Sequence, residues 1–474
     1  MGKKEKKLLE EFNSDVDDLL KTARKFRKER KRAITKQIKE QSKIERIQLR
    51  HEKSRLANWF TLDNAAIIYP SIREENWDFV FRVSALMKAP IDKEILQQAV
   101  DEIKPRFPSF FVSLKSGFFW NYFEENHRRL IVEEENKFPC FKFPRKGSGH
   151  LIRVLYYNNR ISLECFHALA DGRSAVKFLN SIVKHYLELL GVIFDEEKGT
   201  LNYLDKPKRE ELLDSFSEYC NNTKRLKHKE IKAYKIRGNE EEFGVVNSTI
   251  GIMSVSQLKE VAKSYNAKLF EFILSVLAEG LINRAKKEGR TKRPVKISVP
   301  VDLRQFFESE SLRNFSGYLN IEFKVRDYEF NEIVSIVKSE LAKITKEHMQ
   351  GFINSNVSMQ KNYLIKLVPL FIKNFVIKLC FKVWGEVYQT IAVSNVGMNS
   401  VPEEFSQYVD RFEVNLGRPK YNAKSIGLIS YGDKLVFTFS SKIKENTIEK
   451  DFYTGLSKRG VNLTIETNRR DLYE

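Results

Sequence analysis

The chain has 474 residues, with 82 Lys plus Arg against 63 Asp plus Glu and a net charge of +19. Its apolar share of 42 % and aromatic share of 12 % exclude wholesale disorder, and the length suits two or three domains. Four cysteines (Cys140, Cys165, Cys220 and Cys380) form no CxxC pair, which excludes a zinc ribbon or a disulfide framework. No metal is expected, and a reducing compartment fits best.

The charge is concentrated at the start. Residues 1–55 hold 19 basic and 10 acidic residues, a net of +9, and Lys21 to Arg32 alone has eight basic residues and one acidic. Leu9, Phe12, Val16, Leu19, Ala23 and Phe26 recur at alternating spacings of three and four, which places one apolar stripe on a helix. Residues 1–55 thus read as a basic helical extension. That stripe either packs on the body or meets an anionic membrane surface or an acidic partner. Nucleic-acid binding is disfavoured, because aromatic interleaving is sparse and no reading module is recognisable. The opening MGKKEKKLLEEF has acidic residues where a signal-peptide core would stand, and no run of 18 uncharged apolar residues follows anywhere. The expected location is cytoplasmic, with peripheral contact on the inner face of the membrane as an option.

Residues 56–194 read as one α/β lobe. Asp78–Met87 is a predicted strand, Ile91–Ile103 a helix opened by Asp92, and Phe110–Leu114 a further strand. Leu151–Tyr157 and Ile161–Phe166 form a predicted hairpin about Asn158-Asn159. A helix over Arg173–Leu190 ends at Gly191. The polar stretch 195–243 reads as a linker, and residues 244–474 as a second α/β lobe. There, strands are predicted at Val245–Ser254, Val295–Val299 (stopped by Pro300), Tyr318–Val325, Thr390–Val393, Phe412–Leu416, Ser425–Ser430 and Leu435–Phe439. Helices are predicted at Ser256–Tyr265, Leu269–Lys286, Asn331–Lys346 and Thr447–Leu456.

The sharpest local feature is His167-Ala-Leu-Ala-Asp171-Gly172, between the last hairpin strand and the following helix. A histidine at the mouth of a strand can carry its imidazole into a cleft as a general base. Gly172 suits a tight strand-to-helix turn. Asp171 is placed to cap the helix or to accept an arginine. The plainer alternative is a core histidine beside an ordinary capping aspartate. Cys165 lies two residues earlier on the same strand face, but nothing orients it as a nucleophile. No phosphate-binding or dinucleotide-binding glycine motif occurs in a suitable setting, so nucleotide hydrolysis and nicotinamide redox chemistry lack support.

FHALADG after a hairpin resembles the HxxxDG signature of the superfamily containing chloramphenicol acetyltransferase, the BAHD acyltransferases and condensation domains. Arg106-Phe107-Pro108, SGFFWNYFEEN (116–126), NRISLECFHALADG, VPVDLRQFF (299–307) with Asn314-Phe315, and Ser394-Asn395-Val396-Gly397 resemble bacterial alcohol acetyltransferase-like proteins in order and spacing. The similarity spans roughly residues 57–470 and leaves the basic extension outside.

The resemblance implies a mixed α/β (α+β) fold of two chloramphenicol-acetyltransferase-like lobes with an active-site tunnel between them. It implies acyl-CoA (acetyl-CoA) as co-substrate and a hydrophobic alcohol or amine as acceptor. His167 would be the general base for direct transfer from the thioester to a hydroxyl. Asp171, Gly172 and Arg304 would support the catalytic loop, with Arg304 pairing either with Asp171 or locally with Asp302. Ser394 or Asn395 would donate to the oxyanion or contact substrate, unless their segment is merely a connecting turn. The absence of a DFGWG motif departs from the plant branch, and no carrier-domain serine site is visible. A competing expectation is a catalytically inactive protein of this fold that binds a membrane surface or acidic partner through its basic N-terminal helix.

The apolar stretch Tyr363 to Trp384 carries Lys366, Lys373, Lys378 and Lys382, with Pro369 inside. It reads as a buried helix pair by default, or as an interfacial helix whose lysines reach for lipid headgroups.

Overall fold

The computed structural model describes residues 59–74, 77–144, 147–221, 223, 230–361 and 363–469. The basic extension at 1–55 lies outside the described residues. In chain order, the first lobe contains β1 (Trp59–Thr61), α1 (Ile68–Ile72), β2 (Val80–Met87), α2 (Lys93–Ile103), β3 (Val112–Ser116) and β4 (Asn121–Glu125). It continues with β5 (Glu133–Glu134), β6 (Ile152–Tyr157), β7 (Arg160–Phe166) and α3 (Gly172–Leu189). After α4 (Ser215–Tyr219) come β8 (Asn247–Ser254), α5 (Val255–Ser264), α6 (Leu269–Lys287), β9 (Val295–Asp302), β10 (Ser316–Phe323) and α7 (Phe330–Leu341). Then follow α8 (Lys346–Lys361), α9 (Tyr363–Leu367), α10 (Leu370–Trp384), β11 (Ile391–Met398), α11 (Phe405–Tyr408) and β12 (Val409–Asn415). The chain closes with β13 (Lys424–Tyr431), β14 (Lys434–Ser441), α12 (Thr447–Ser457) and β15 (Leu463–Thr467).

Two mixed sheets define the lobes, in the orders β12-β2-β7-β6-β5 and β10-β9-β11-β13-β14-β8-β15; a small third sheet is β1-β4-β3. The first lobe follows from strand alternation. Phe81, Val83 and Ala85 of β2, with Leu163 and Cys165 of β7, join one apolar core with α2 and α3. The alternate residues Arg82, Ser84, Ser162 and Glu164 occupy the other face. There Arg82 is held by Glu164 at 2.7 Å and Glu135 at 2.5 Å, and the Ser84 and Ser162 hydroxyls meet at 2.9 Å. This polar face joins the second lobe through Asn415 Nδ2, which donates to Ser248 Oγ at 2.6 Å, while Ser440 Oγ donates back to Asn415 Oδ1 at 2.8 Å.

Local signals hold well. Asp92 caps α2 by accepting from the Glu94 and Ile95 amides at 3.0 and 3.1 Å. Asn158 turns the β6–β7 hairpin with a φ of 50°, and Gly191 follows α3 with a φ of 100°.

Four expectations change. The strand predicted at Phe412–Leu416 is β12, and it crosses to the first lobe, where Val414 opposes Val83 and Phe412 opposes Ala85. Pro300 does not stop β9, which runs to Asp302. Beyond Ser298 only β10 pairs with it, so a missing N–H is tolerated there. The helix predicted to Lys346 stops at Leu341, and α8, which the sequence reading did not separate, follows. The polar stretch 195–243 is anchored: Glu211 is buried and takes both guanidinium arms of Arg106 at 2.6 and 2.7 Å.

Candidate active site

His167 follows β7 directly, and its amide donates to the Phe79 carbonyl at 2.8 Å, which ties the turn to the segment entering β2. Its imidazole stacks on the Tyr69 ring of α1, with centroids 4.8 Å apart and planes at 16°, and tilts against Phe81 at 5.0 Å. Nδ1 is enclosed without a hydrogen-bond partner of good geometry. Burial lowers the imidazole pKa, outweighing its own carbonyl, Asp171 and Asn314, which act the other way. The ring is thus neutral at pH 7, the state a general base requires.

The loop after His167 is fixed from both lobes. Asp171 Oδ1 caps α3 by accepting from the Ser174 amide at 3.0 Å. Its Oδ2 accepts from Arg304 Nη1 at 2.7 Å and from the Phe315 amide at 3.0 Å. Burial alone would raise the Asp171 pKa, but the Arg304 charge and these donors hold it below the usual carboxylate value. Arg304 also reaches Asp302 Oδ1 at 3.0 Å and donates to the Ser311 and Arg313 carbonyls at 2.8 and 2.6 Å. Both pairings considered from the sequence therefore coexist, and the cap and the arginine contact use different carboxylate oxygens.

Gly172 needs a different explanation from the one its position suggested. It begins α3 without a positive φ, and a Cβ there would sit 3.5 Å from Val396 Cγ2, an ordinary contact. The turn does not demand glycine; the residue marks where the start of α3 meets the Ser394–Gly397 segment. That segment is not a turn. It lies within β11, whose register with β13 shifts between Asn395 and Met398. Ser394 is half-buried opposite Gly427, and the exposed Asn395 uses Oδ1 to accept from the Gly397 amide at 2.9 Å. Gly397 has a φ of 89°, which makes this local geometry possible.

Cys165 is fully buried, and desolvation pushes its thiol far above the ordinary value, so it is held as a neutral thiol. Among the described residues, no group of three or more His, Cys, Asp or Glu could hold a metal ion. A cavity of about 560 Å³ opens between the two sheets, bordered by Arg82, Glu135 and Arg160 on one side and Ser248, Thr438 and Glu466 on the other. His167 is not among its lining residues.

The sequence did not announce Tyr69 at the His167 ring, nor the Asp63–Asn314 pair that reaches the loop through the Ala168 carbonyl. Asn314 Nδ2 donates to Asp63 Oδ2 at 3.2 Å and to the Ala168 carbonyl at 3.4 Å. Burial raises the Asp63 pKa to about 6, against the pull of Arg313, 3.6 Å away. No local spacing announces this group, because Tyr69 lies 98 and Asp63 104 positions before His167, and Asn314 147 after it. Only the Asn314-Phe315 pair after VPVDLRQFF offered a hint.

No family model matches the sequence, and no curated protein matches it. Solved structures share its fold. Polyketide synthase associated protein 5 from Mycobacterium tuberculosis superposes with a TM-score of 0.54 at 12 % identity, covering 85 % of this chain and 97 % of that one. The condensation domain of the Monacolin K polyketide synthase gives 0.52 at 11 %, covering 85 % and 97 %. The nonribosomal peptide synthetase FmoA3 gives 0.53 at 11 %, with 86 % of this chain matching 43 % of that one. The chain thus shares the mixed-sheet α/β fold of these solved structures, in keeping with the fold that the resemblance implied.

Proposed function

We propose that the protein is an acyl-CoA-dependent O-acyltransferase that uses His167 as general base. The observation that carries this reading is a neutral, desolvated imidazole on a loop clamped across the lobes by the Asp171–Arg304 ion pair. With Nδ1 enclosed, Nε2 is the nitrogen left for an acceptor hydroxyl. In the proposed step Nε2 takes the hydroxyl proton as the oxygen attacks the thioester carbonyl. The tetrahedral intermediate then expels the CoA sulfur, which receives the same proton. One C–O bond forms, one C–S bond breaks, and no acyl-enzyme is needed.

Holding both substrates together makes the transfer effectively intramolecular. Ser394 or Asn395, in the strand beside the start of α3, is the proposed oxyanion donor or substrate contact. Acetyl-CoA is the proposed donor and a hydrophobic alcohol or amine the acceptor. The test is thiol release from a panel of acyl-CoAs with and without alcohols. Acceptor-dependent release supports the reading, and release unaffected by every acceptor contradicts it.

A further inference from the structure

The stretch expected by default to be a buried helix pair is not buried. On α10, Phe371 and Phe375 are each 70 % exposed and Leu379 is 52 % exposed. They recur every four residues and form one uncovered apolar stripe. The tip of the β3–β4 hairpin continues it with Phe118, 70 % exposed, and Trp120. The two parts are joined: the Leu370 amide donates to the Phe118 carbonyl at 2.8 Å, and Lys373 Nζ donates to the Phe119 carbonyl at 2.9 Å. A single monomer rarely leaves so many large apolar side chains contiguous and open.

We infer that α10 and the β3–β4 tip form a docking surface for an anionic lipid bilayer. Charge selects this occupant. Tyr363 to Trp384 contains four lysines and no acidic residue, and Lys366 and Lys382 are exposed. Lys378 meets Glu74 at 3.5 Å and remains half-exposed. Lysines beside an apolar stripe can bury their stems and hold their ammonium groups at the phosphate level. A tryptophan at the edge of the stripe suits the headgroup boundary. The chain segment of net charge +9 at residues 1–55 ends just before Trp59, whose ring packs edge-on to Tyr122 of the same hairpin at 5.9 Å. A face-to-face pair of copies would bring the exposed Lys366 and Lys382 of one against those of the other.

Among the described residues no helix is long and apolar enough to cross a membrane, so the helix would lie in the interface. The inner side of α10 reaches toward His167 in two steps. Asn374 Oδ1 accepts from Ser71 Oγ at 2.8 Å, and Ser71 sits two residues from Tyr69, which stacks on His167.

The test is flotation of the full chain with vesicles of phosphatidylcholine containing about 30 % phosphatidylglycerol, against pure phosphatidylcholine. The wild type is expected to float with the anionic vesicles. Phe371→Asp/Phe375→Asp is expected to lose about tenfold or more of that partition with unchanged melting, because both side chains are already in solvent. His167→Ala should float like the wild type, which separates docking from chemistry. Retained flotation of the double variant would assign binding to the basic extension alone and overturn the inference. So would a wild type that stays soluble, or one that sediments as a dimer broken by the double variant.

Discussion

Asp171→Asn probes the clamp with little change in shape. The carboxylate satisfies three donors, with Oδ1 on the Ser174 amide and Oδ2 on Arg304 and the Phe315 amide. An asparagine has one acceptor oxygen. If that oxygen keeps the helix cap, its NH₂ faces two donors. If it keeps Arg304 and Phe315, the cap is lost and the NH₂ faces the Ser174 amide. The second choice is cheaper. It forfeits a cap of about 1 kcal/mol and the negative charge that strengthens the retained Arg304 bond, worth about 1.5–3 kcal/mol. Arg304 keeps Asp302 and two carbonyls, so the loss stays below that of an orphaned buried charge. At about 2.1 cal/mol/K of unfolding entropy per residue, some 2.5–4 kcal/mol corresponds to roughly 3–5 °C for a body of this size. The folded Asp171 pKa is depressed, so its contribution is full above the unfolded value of about 3.9 and is lost as pH falls through the folded value. Thermal melting of both proteins at pH 7, repeated from about pH 4 downward, reads this directly. A variant melting within about 1 °C of wild type at pH 7 would refute the reasoning.

Further expectations concern neighbouring groups. Gly172→Ala should change the melting temperature by no more than about 1 °C, because its backbone is helical and the new methyl has room; a loss beyond about 4 °C would contradict this. His185 is buried between Glu102 at 2.8 Å and Glu188 at 3.0 Å; burial opposes its charge, but the two carboxylates prevail and raise its pKa. Its stabilisation is therefore full below about pH 6.5 and lost as pH rises through the folded pKa, so the melting deficit of His185→Gln should shrink toward alkaline pH. A deficit that grows with pH would contradict it. For acceptor-dependent thiol release, the acid limb of the pH profile should fall below about 6.5, since burial lowers the His167 pKa; a limb above 7 would argue against His167 as base.

What the sequence disclosed was mostly local. The Asp92 cap, the Asn158 turn and the His167–Gly172 segment each depend on residues within a few positions, and the chain realises all three. The Asp171–Arg304 contact spans 133 positions, and came from charge and resemblance together. Tyr69 and Asp63 were hidden because nothing near them in the chain marks the approach of Tyr69 to His167 or the bond of Asp63 to Asn314. Alternation in β12 showed which residues face inward but not which sheet it would join, since period-two patterning specifies faces and not partners. The apolar character of residues 363–384 was likewise visible, while their exposure was not: a hydrophobic face has the same sequence whether it meets protein or solvent.

Thiol release from acyl-CoA by wild type and His167→Ala, each with an accepted alcohol, tests the central claim most directly. The account predicts acceptor-dependent release by the wild type and at least about a hundredfold less by the variant. The variant should melt close to wild type, because His167 makes ring contacts while the clamp belongs to Asp171 and Arg304. Turnover by a folded His167→Ala protein within a few-fold of wild type would contradict the account.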